Sequence, residues 1–335
     1  MRIIDVKVVS GQADWSALEE CASHGRTLIR AFDGEASDLV SSVGWAVMKR
    51  AIGTIHSALG GVYGEEAEQS ADIFGVSTRD IVAANLAYDA SQMGCSTFII
   101  PANRGLLHAR NLDWWFPRDL LKKHVVVYRM LGAPHGDYAM VSWPGIFGVL
   151  TAVGKGRFSV SVNHVSNSEN SRASMVSRGM QGYWPVMWAV RRAFDECKDF
   201  DAAVRLLKRI PLLSPVLFAV AGTKKSETVI IERDPDNWAV REAAHGRALW
   251  VTNHYATGEF DSENTGIEEF DTVKRFEFLE SKLRSNRVWE AKAAFRMLSA
   301  NDLLWDGTQH QVVMSAEAGW LVARVPGEKA VEIKL

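Results

Sequence analysis

Met93-Gly94-Cys95-Ser96-Thr97-Phe98, followed by His108-Ala109-Arg110-Asn111-Leu112-Asp113, is the stretch on which the reading of this chain turns. The segments 96–100 and 106–113 have strand character and flank Ala102-Asn103-Arg104-Gly105, a good turn sequence, so a β-hairpin is expected here. Before it the chain reads differently. Residues 13–92 have helical character: Trp45, Met48, Ile52, Ile55 and Leu59 recur at steps of three and four before Gly60-Gly61 ends the run. A second helix is expected to start at Ser77, with Asp80 three residues on as its capping-box partner.

After the hairpin the pattern alternates between strands and helices. Strands are expected at 124–130, 138–143 and 158–163. In the last, Phe158, Val160 and Val162 fall on one face and Ser159 and Ser161 on the other. Two helices follow, lined by Trp184, Met187, Trp188 and Phe194 and by Phe200, Ala203, Val204 and Leu207. Strands return at 217–222, 228–234, 238–243 and 249–255. Helices are expected at 268–284 and 287–299, and closing strands at 310–314, 319–325 and 330–334. The Ser- and Asn-rich stretch 166–179 reads as a surface loop. This order points to an α+β fold, two stacked sheets with helices outside.

Composition narrows the function classes. The 335 residues are 47% hydrophobic and 23% charged with a formal net charge of −2, ordinary globular values. No basic excess supports a nucleic-acid partner. Three scattered cysteines, Cys21, Cys95 and Cys197, form neither a disulfide framework nor a zinc pair, and no metal or other cofactor is expected. Gly154-Lys155-Gly156 reads as a turn and not a phosphate loop. The first residues alternate like a strand and no apolar run approaches membrane length, so a soluble, cytoplasmic chain is expected.

The hairpin also holds reactive residue types. A thiolate needs a nearby cation, which Arg110 on the partner strand could supply, and Asp113 could orient an amine. Gly94 gives the backbone before Cys95 the freedom that attack on a peptide bond demands. A buried, unreactive thiol is the alternative at Cys95, and the expected one at Cys21 and Cys197.

These residues resemble a known family. The run 84–89 (Ala-Asn-Leu-Ala-Tyr-Asp), Cys95-Ser96-Thr97, Gly105, His108 and Arg110-Asn111-Leu112-Asp113 are similar to the acid ceramidase and N-acylethanolamine acid amidase family of cysteine N-terminal-nucleophile (Ntn) hydrolases. Bile salt hydrolase and penicillin V acylase belong to the same superfamily. Weaker likenesses follow at Phe158 to Asn163, at Val251-Thr252-Asn253 and at Asp271-Thr272-Val273-Lys274-Arg275. Departures are His108-Ala109-Arg110-Asn111 for the family's His-Gly-Arg-Asn, His164 where the ceramidase branch has Glu, and Thr252-Asn253-His254-Tyr255 for Thr-Asn-Tyr-Asp. The last, with the Trp after Asp113, leans toward penicillin acyltransferase-like relatives.

The resemblance implies a four-layer αββα Ntn-hydrolase sandwich with an N-terminal helical prosegment. Self-cleavage before Cys95 would make residues 1–94 an α-subunit and residues 95–335 the catalytic β-subunit. It implies Cys95 as nucleophile, Arg110 beside the thiolate, Asp113 on the new α-amine, the Asn253 side chain and the His164 backbone N–H as oxyanion donors, and Arg275 as added positive charge. Implied partners are a small-molecule N-acyl amide, the chain's own cleaved N-terminal segment and, transiently, lipid aggregates. An acyltransferase, a bile salt or penicillin V acylase, and an unprocessed binding paralogue are the alternatives. Trp114, Trp115, Phe116, Trp143, Ile146, Phe147 and Trp184 are candidate walls for an acyl chain.

Overall fold

A computed structural model describes the chain except residues 41, 91–92, 115–117, 166–171, 244–245, 264–270 and 285–287. The elements in order are β1 (Arg2–Val9), β2 (Gln12–Asp14), α1 (Ala22–Val40), α2 (Ser42–Ala58), α3 (Gly64–Phe74), α4 (Thr78–Asn85), α5 (Ala87–Ala90), β3 (Met93–Pro101), β4 (Leu106–Trp114), α6 (Arg118–His124), β5 (Val126–Leu131), β6 (Tyr138–Ser142), β7 (Thr151–Gly154) and β8 (Ser159–His164). They continue with α7 (Arg172–Met180), α8 (Val186–Glu196), α9 (Phe200–Arg209), β9 (Val216–Ala221), β10 (Thr228–Arg233), β11 (Trp238–Glu242), β12 (Leu249–Val251), α10 (Thr272–Leu283), α11 (Ala291–Leu298), β13 (Thr308–Ser315), β14 (Trp320–Arg324) and β15 (Val331–Lys334). Among the described residues no helix is long and apolar enough to cross a membrane.

The strands form two sheets. Nine run in the order β11-β10-β9-β8-β7-β6-β5-β1-β2, and six in the order β12-β3-β4-β13-β14-β15. Helix α9 packs on β9 and β10, while α10 and α11 pack on β3, β4, β12 and β13. The result is the helix–sheet–sheet–helix layering expected of an Ntn-hydrolase sandwich. In the six-stranded sheet, Phe98, Ile100, Leu107, Ala109 and Val313 bury against Leu279, Leu283 and Leu298 of the outer helices. Alternation along β3 and β4 therefore turns Cys95, Thr97, His108 and Arg110 toward the other sheet.

Local chemistry explains the main elements. Gly60 and Gly61 adopt positive φ beyond α2, and Ser77 caps α4 with Asp80 in a reciprocal capping box. Gly105 closes the β3–β4 turn at φ +59°, where an added Cβ would meet the Thr223 carbonyl oxygen at 3.0 Å.

Three expectations need correction. The prosegment is not helical throughout, and the strand-like alternation read in its first residues holds. Ile4, Val6 and Val8 alternate with exposed residues, and this period of two makes β1 a strand paired in parallel with β5. Of the stretch 166–179 read as a loop, residues 166–171 lie outside the described residues and the rest is not loop. From Arg172 it is helical, packs on α2, and brings Gly179 so close to Ile55 that a Cβ would meet it at 2.5 Å. Third, β12 ends at Val251, so Asn253 lies in the turn beyond the strand. The short β7 is an element the sequence pattern did not show.

Candidate active site

The site grows from the register of one hairpin. Cys95 pairs with Leu112, Gly94 with Asp113 and Thr97 with Arg110. Arg110 is thus a diagonal neighbour of Cys95 on the same face, within reach of a long side chain. Its Nη2 donates to the Cys95 Sγ at 3.2 Å. The rest of the guanidinium is fixed across the gap between the sheets, where it donates to the Leu150 carbonyl at 2.8 Å, to Thr151 Oγ1 and to the Val162 carbonyl. Both Cys95 and Arg110 are 0% exposed.

The backbone of Cys95 is held from the other side. Its N–H donates to Asn253 Oδ1 at 2.8 Å. Arg275 Nη2 donates to the same oxygen at 2.7 Å, while Nη1 donates to the Cys95 carbonyl and to Ser96 Oγ. Asn253 Nδ2 donates to the Met93 carbonyl at 3.0 Å and the His164 carbonyl at 2.7 Å. One amide side chain therefore clamps the chain on both sides of the Gly94–Cys95 peptide. Thr272 holds that clamp: its Oγ1 accepts from the Asn253 N–H at 2.7 Å, and its carbonyl accepts from Thr252 Oγ1 at 2.9 Å.

Asp113 lies opposite Gly94 and accepts from Thr308 Oγ1 at 2.5 Å. Burial pushes its carboxyl up to about 6, against the pull of Arg275, the Thr308 hydrogen bond and Arg110. Arg275 is itself buried, and burial holds its guanidinium below the usual range. The His164 ring is fully enclosed and burial lowers it to about 4, so it stays neutral at ordinary pH. It packs edge-on against Tyr88, with ring centroids 6.1 Å apart.

All six candidate residues, Cys95, Arg110, Asp113, His164, Asn253 and Arg275, thus converge on one stretch of β3. Ser96, Thr151, Thr272 and Thr308 complete the network and were not singled out from sequence. For Ser96, beside Cys95, and Thr308, across from Asp113, the signal was positional, whereas Thr151 of β7 and Thr272 of α10 reach the site by tertiary packing. His108 is structural. Burial lowers its ring to about 3, with Arg110 adding to the effect, and it bonds Ser159 and Ser161 in a polar seam between the sheets. Cys21 and Cys197 are pushed up to about 11 by burial, as inert thiols should be.

The proposed acyl walls separate. Trp114, paired with Met93, meets Trp143 edge to face at 5.6 Å beside the Cys95 row. Phe147 instead joins Trp15, Tyr63 and Trp188 in a different aromatic cluster, and Trp184 lies under Arg192. Trp115 and Phe116 lie outside the described residues. Among the described residues no group of three or more His, Cys, Asp or Glu side chains could hold a metal ion.

Known proteins are similar to this chain in sequence and fold. Residues 154–308 match the family model of acyl-coenzyme A:6-aminopenicillanic acid acyl-transferase. The N-acylethanolamine-hydrolyzing acid amidase of Cavia porcellus is 31% identical over 192 residues, 56% of this chain and 52% of that protein. The acid ceramidase of Mus musculus is 26% identical over 212 residues, 58% and 53% of the two chains. The chain spans about half the length of these curated relatives. The solved structure of a Caenorhabditis elegans N-acylethanolamine-hydrolyzing acid amidase ortholog superposes with a TM-score of 0.55 at 22% identity, covering 66% of this chain and 93% of that one. In sequence the chain is thus similar to N-acylethanolamine-hydrolyzing acid amidases and acid ceramidases over about half of their length, and it shares the fold of the amidase ortholog.

Proposed function

We propose that the chain is a self-processing cysteine amidohydrolase that cleaves linear N-acyl amides. One observation carries the reading: the Cys95 thiol rests on Arg110 while Asn253 and Arg275 grip the backbone on either side of it. Nothing in strand pairing alone requires two buried arginines and an asparagine at a cysteine.

In the intact chain the Cys95 sulfur attacks the Gly94 carbonyl carbon. The acyl group passes from nitrogen to sulfur, the peptide C–N bond breaks, and the nitrogen gains a proton to become the Cys95 α-amine. Water then hydrolyses the thioester, leaving a Gly94 carboxylate. Asp113, opposite Gly94, is placed to hold the new ammonium, and most of its carboxyl is ionised at neutral pH. The α-amine, with an ordinary pKa near ~8, serves as the base for the next cycle. Withdrawal of Met93 frees Asn253 Nδ2 for the oxyanion of a substrate amide, with the His164 backbone N–H as second donor. The sulfur becomes acylated as the amine leaves with a proton, and water releases the acid.

The cleaved segment stays in place as part of the fold. It supplies β1 and β2 to the nine-stranded sheet, and Glu66 pairs with the buried Arg191 of α8 at 3.1 Å. Transfer of the acyl group to an amine instead of water is the second reading, favoured by the acyl-transferase family model over residues 154–308.

Trp114 and Trp143 beside the Cys95 row suit medium or long acyl chains, since each buried methylene contributes roughly 0.8 kcal/mol. A panel of neutral N-acyl amides of increasing chain length tests this. kcat/KM should rise with length and exceed that for glycocholate. A flat profile, or glycocholate as the best substrate, would sink the lipid-amide assignment. Accumulation of transferred acyl product when a free amine is added would move the conclusion to the acyltransferase.

A further inference from the structure

The mechanism above gives no task to the 84–89 run, in which Tyr88 is the aromatic residue. Its side chain is 0% exposed, and among the described residues its hydroxyl has no hydrogen-bond partner. An orphaned buried hydroxyl is costly, and folded proteins rarely keep one without a use. Its surroundings indicate the use. The ring packs against His164, whose carbonyl is bonded to Asn253, which in turn holds the Cys95 N–H. After burial itself, the strongest electrostatic influence on Tyr88 is Cys95, followed by Asp89 and Arg110. The residue is also anchored. Asp89 Oδ1 accepts from Ser214 Oγ at 2.5 Å and from the Val186 N–H at 3.3 Å, tying α5 to the catalytic part independently of the Gly94–Cys95 bond.

We propose that Tyr88 is a third hydrogen-bond donor to the reacting carbonyl oxygen, delivered by the N-terminal segment. It joins Asn253 and the His164 N–H on the oxyanion side, so the mature site is incomplete without residues 1–94. The assignment rests on the amidohydrolase reading. It goes further in giving the cleaved segment a place in the chemistry.

The test compares wild type with Tyr88→Phe, which keeps the ring, and Tyr88→Met as a second variant that keeps an apolar side chain. Each is assayed on an N-acyl amide and titrated with the fatty trifluoromethyl ketone and the matching trifluoromethyl alcohol of the same chain length. The ketone adds the Cys95 sulfur to its carbonyl carbon as a hemithioketal, the thiol proton passing to the α-amine, and so places a tetrahedral oxygen where the oxyanion forms; the alcohol cannot. Tyr88→Phe loses an unpaired hydroxyl, so its thermal midpoint should be equal or higher. Its kcat should fall by about tenfold with KM little changed, and ketone affinity should fall by a similar factor while alcohol affinity holds. Tyr88→Met should show the same selective loss of ketone affinity. Wild-type kcat and ketone affinity in Tyr88→Phe would overturn the proposal, as would equal losses for ketone and alcohol. A wild type that turns over no amide but still captures the ketone would overturn the amidase reading alone, leaving the ketone titration to decide Tyr88. Capture of neither would overturn both.

Discussion

Two of the clusters of buried charge among the described residues are built on opposite principles. In the first, Arg191 bonds Glu66 through two nitrogens, Asp195 through Nε and the Phe147 carbonyl through Nη1. Glu66 also accepts from Trp15 Nε1 and the Ala13 N–H, and Asp195 from the hydroxyls of Tyr63 and Tyr138. Each charged atom there has a partner. Around Cys95 the network is equally buried but incomplete: among the described residues Arg110 Nε, Tyr88 OH, Trp114 Nε1 and both His310 nitrogens have none. Saturation suits a weld between segments. Unpaired donors suit a site whose remaining partner is a substrate, because each unmet buried group costs on the order of 1–3 kcal/mol until something binds it.

Breaking the saturated cluster should give the largest effect, and it should fall on stability. Glu66→Gln leaves Arg191 with less compensating charge in a site that is 0% exposed, at a cost of about 3–5 kcal/mol. Denaturant titration should show that loss while kcat per folded molecule stays near wild type. A large fall in kcat with unchanged stability would erase the distinction between the clusters.

Asn253→Ala attacks the incomplete cluster. Losing a donor used in the transition state should lower kcat by ~100-fold, about 3 kcal/mol, with a much smaller change in KM. A rise in KM at constant kcat would reassign Asn253 to ground-state binding.

These two clusters were not equally legible in the sequence. Cys95, Arg110 and Asp113 sit on one hairpin whose turn and alternation are local signals, so register alone predicts their meeting. Asn253 and Arg275 were visible only through resemblance, because the turn after β12 and the first turns of α10 reach β3 by tertiary packing. Glu66 and Arg191, far apart in sequence, gave no sign of pairing. Glutamate and arginine on amphipathic helices ordinarily face water, and nothing local marks the exception. The alternation at β8 was legible, while the place of its serine face, the polar seam between the sheets, was not. One-dimensional patterns give two faces of a strand without saying what covers them.

The smallest effect concerns the link between the clusters, where Asp89 ties α5 to α8. Burial pushes its carboxyl up to about 7, against the pull of its Ser214 and Val186 hydrogen bonds. Its folded pKa lies above its ordinary value of 3.8, so folding takes up a proton between about pH 4 and 7. Asp89 therefore adds stability as pH falls through 7, while His164 and His254, both lowered to about 4 by burial, oppose it below about 6.5. Asp89→Asn should reduce whatever stability wild type gains between pH 7.5 and 5 by roughly 1–2 kcal/mol. Identical pH profiles of the unfolding midpoint would show that Asp89 is ionised in both states.

The central claim is that Cys95 is built to become an N-terminus. Intact mass and N-terminal sequencing of the purified wild type, beside Cys95→Ala, test it most directly. Wild type should resolve into residues 1–94 and 95–335 with a new sequence beginning Cys-Ser-Thr-Phe, while Cys95→Ala remains one chain without turnover. An uncleaved wild type that hydrolyses N-acyl amides at full rate, or a Cys95→Ala that still cuts itself, would contradict it.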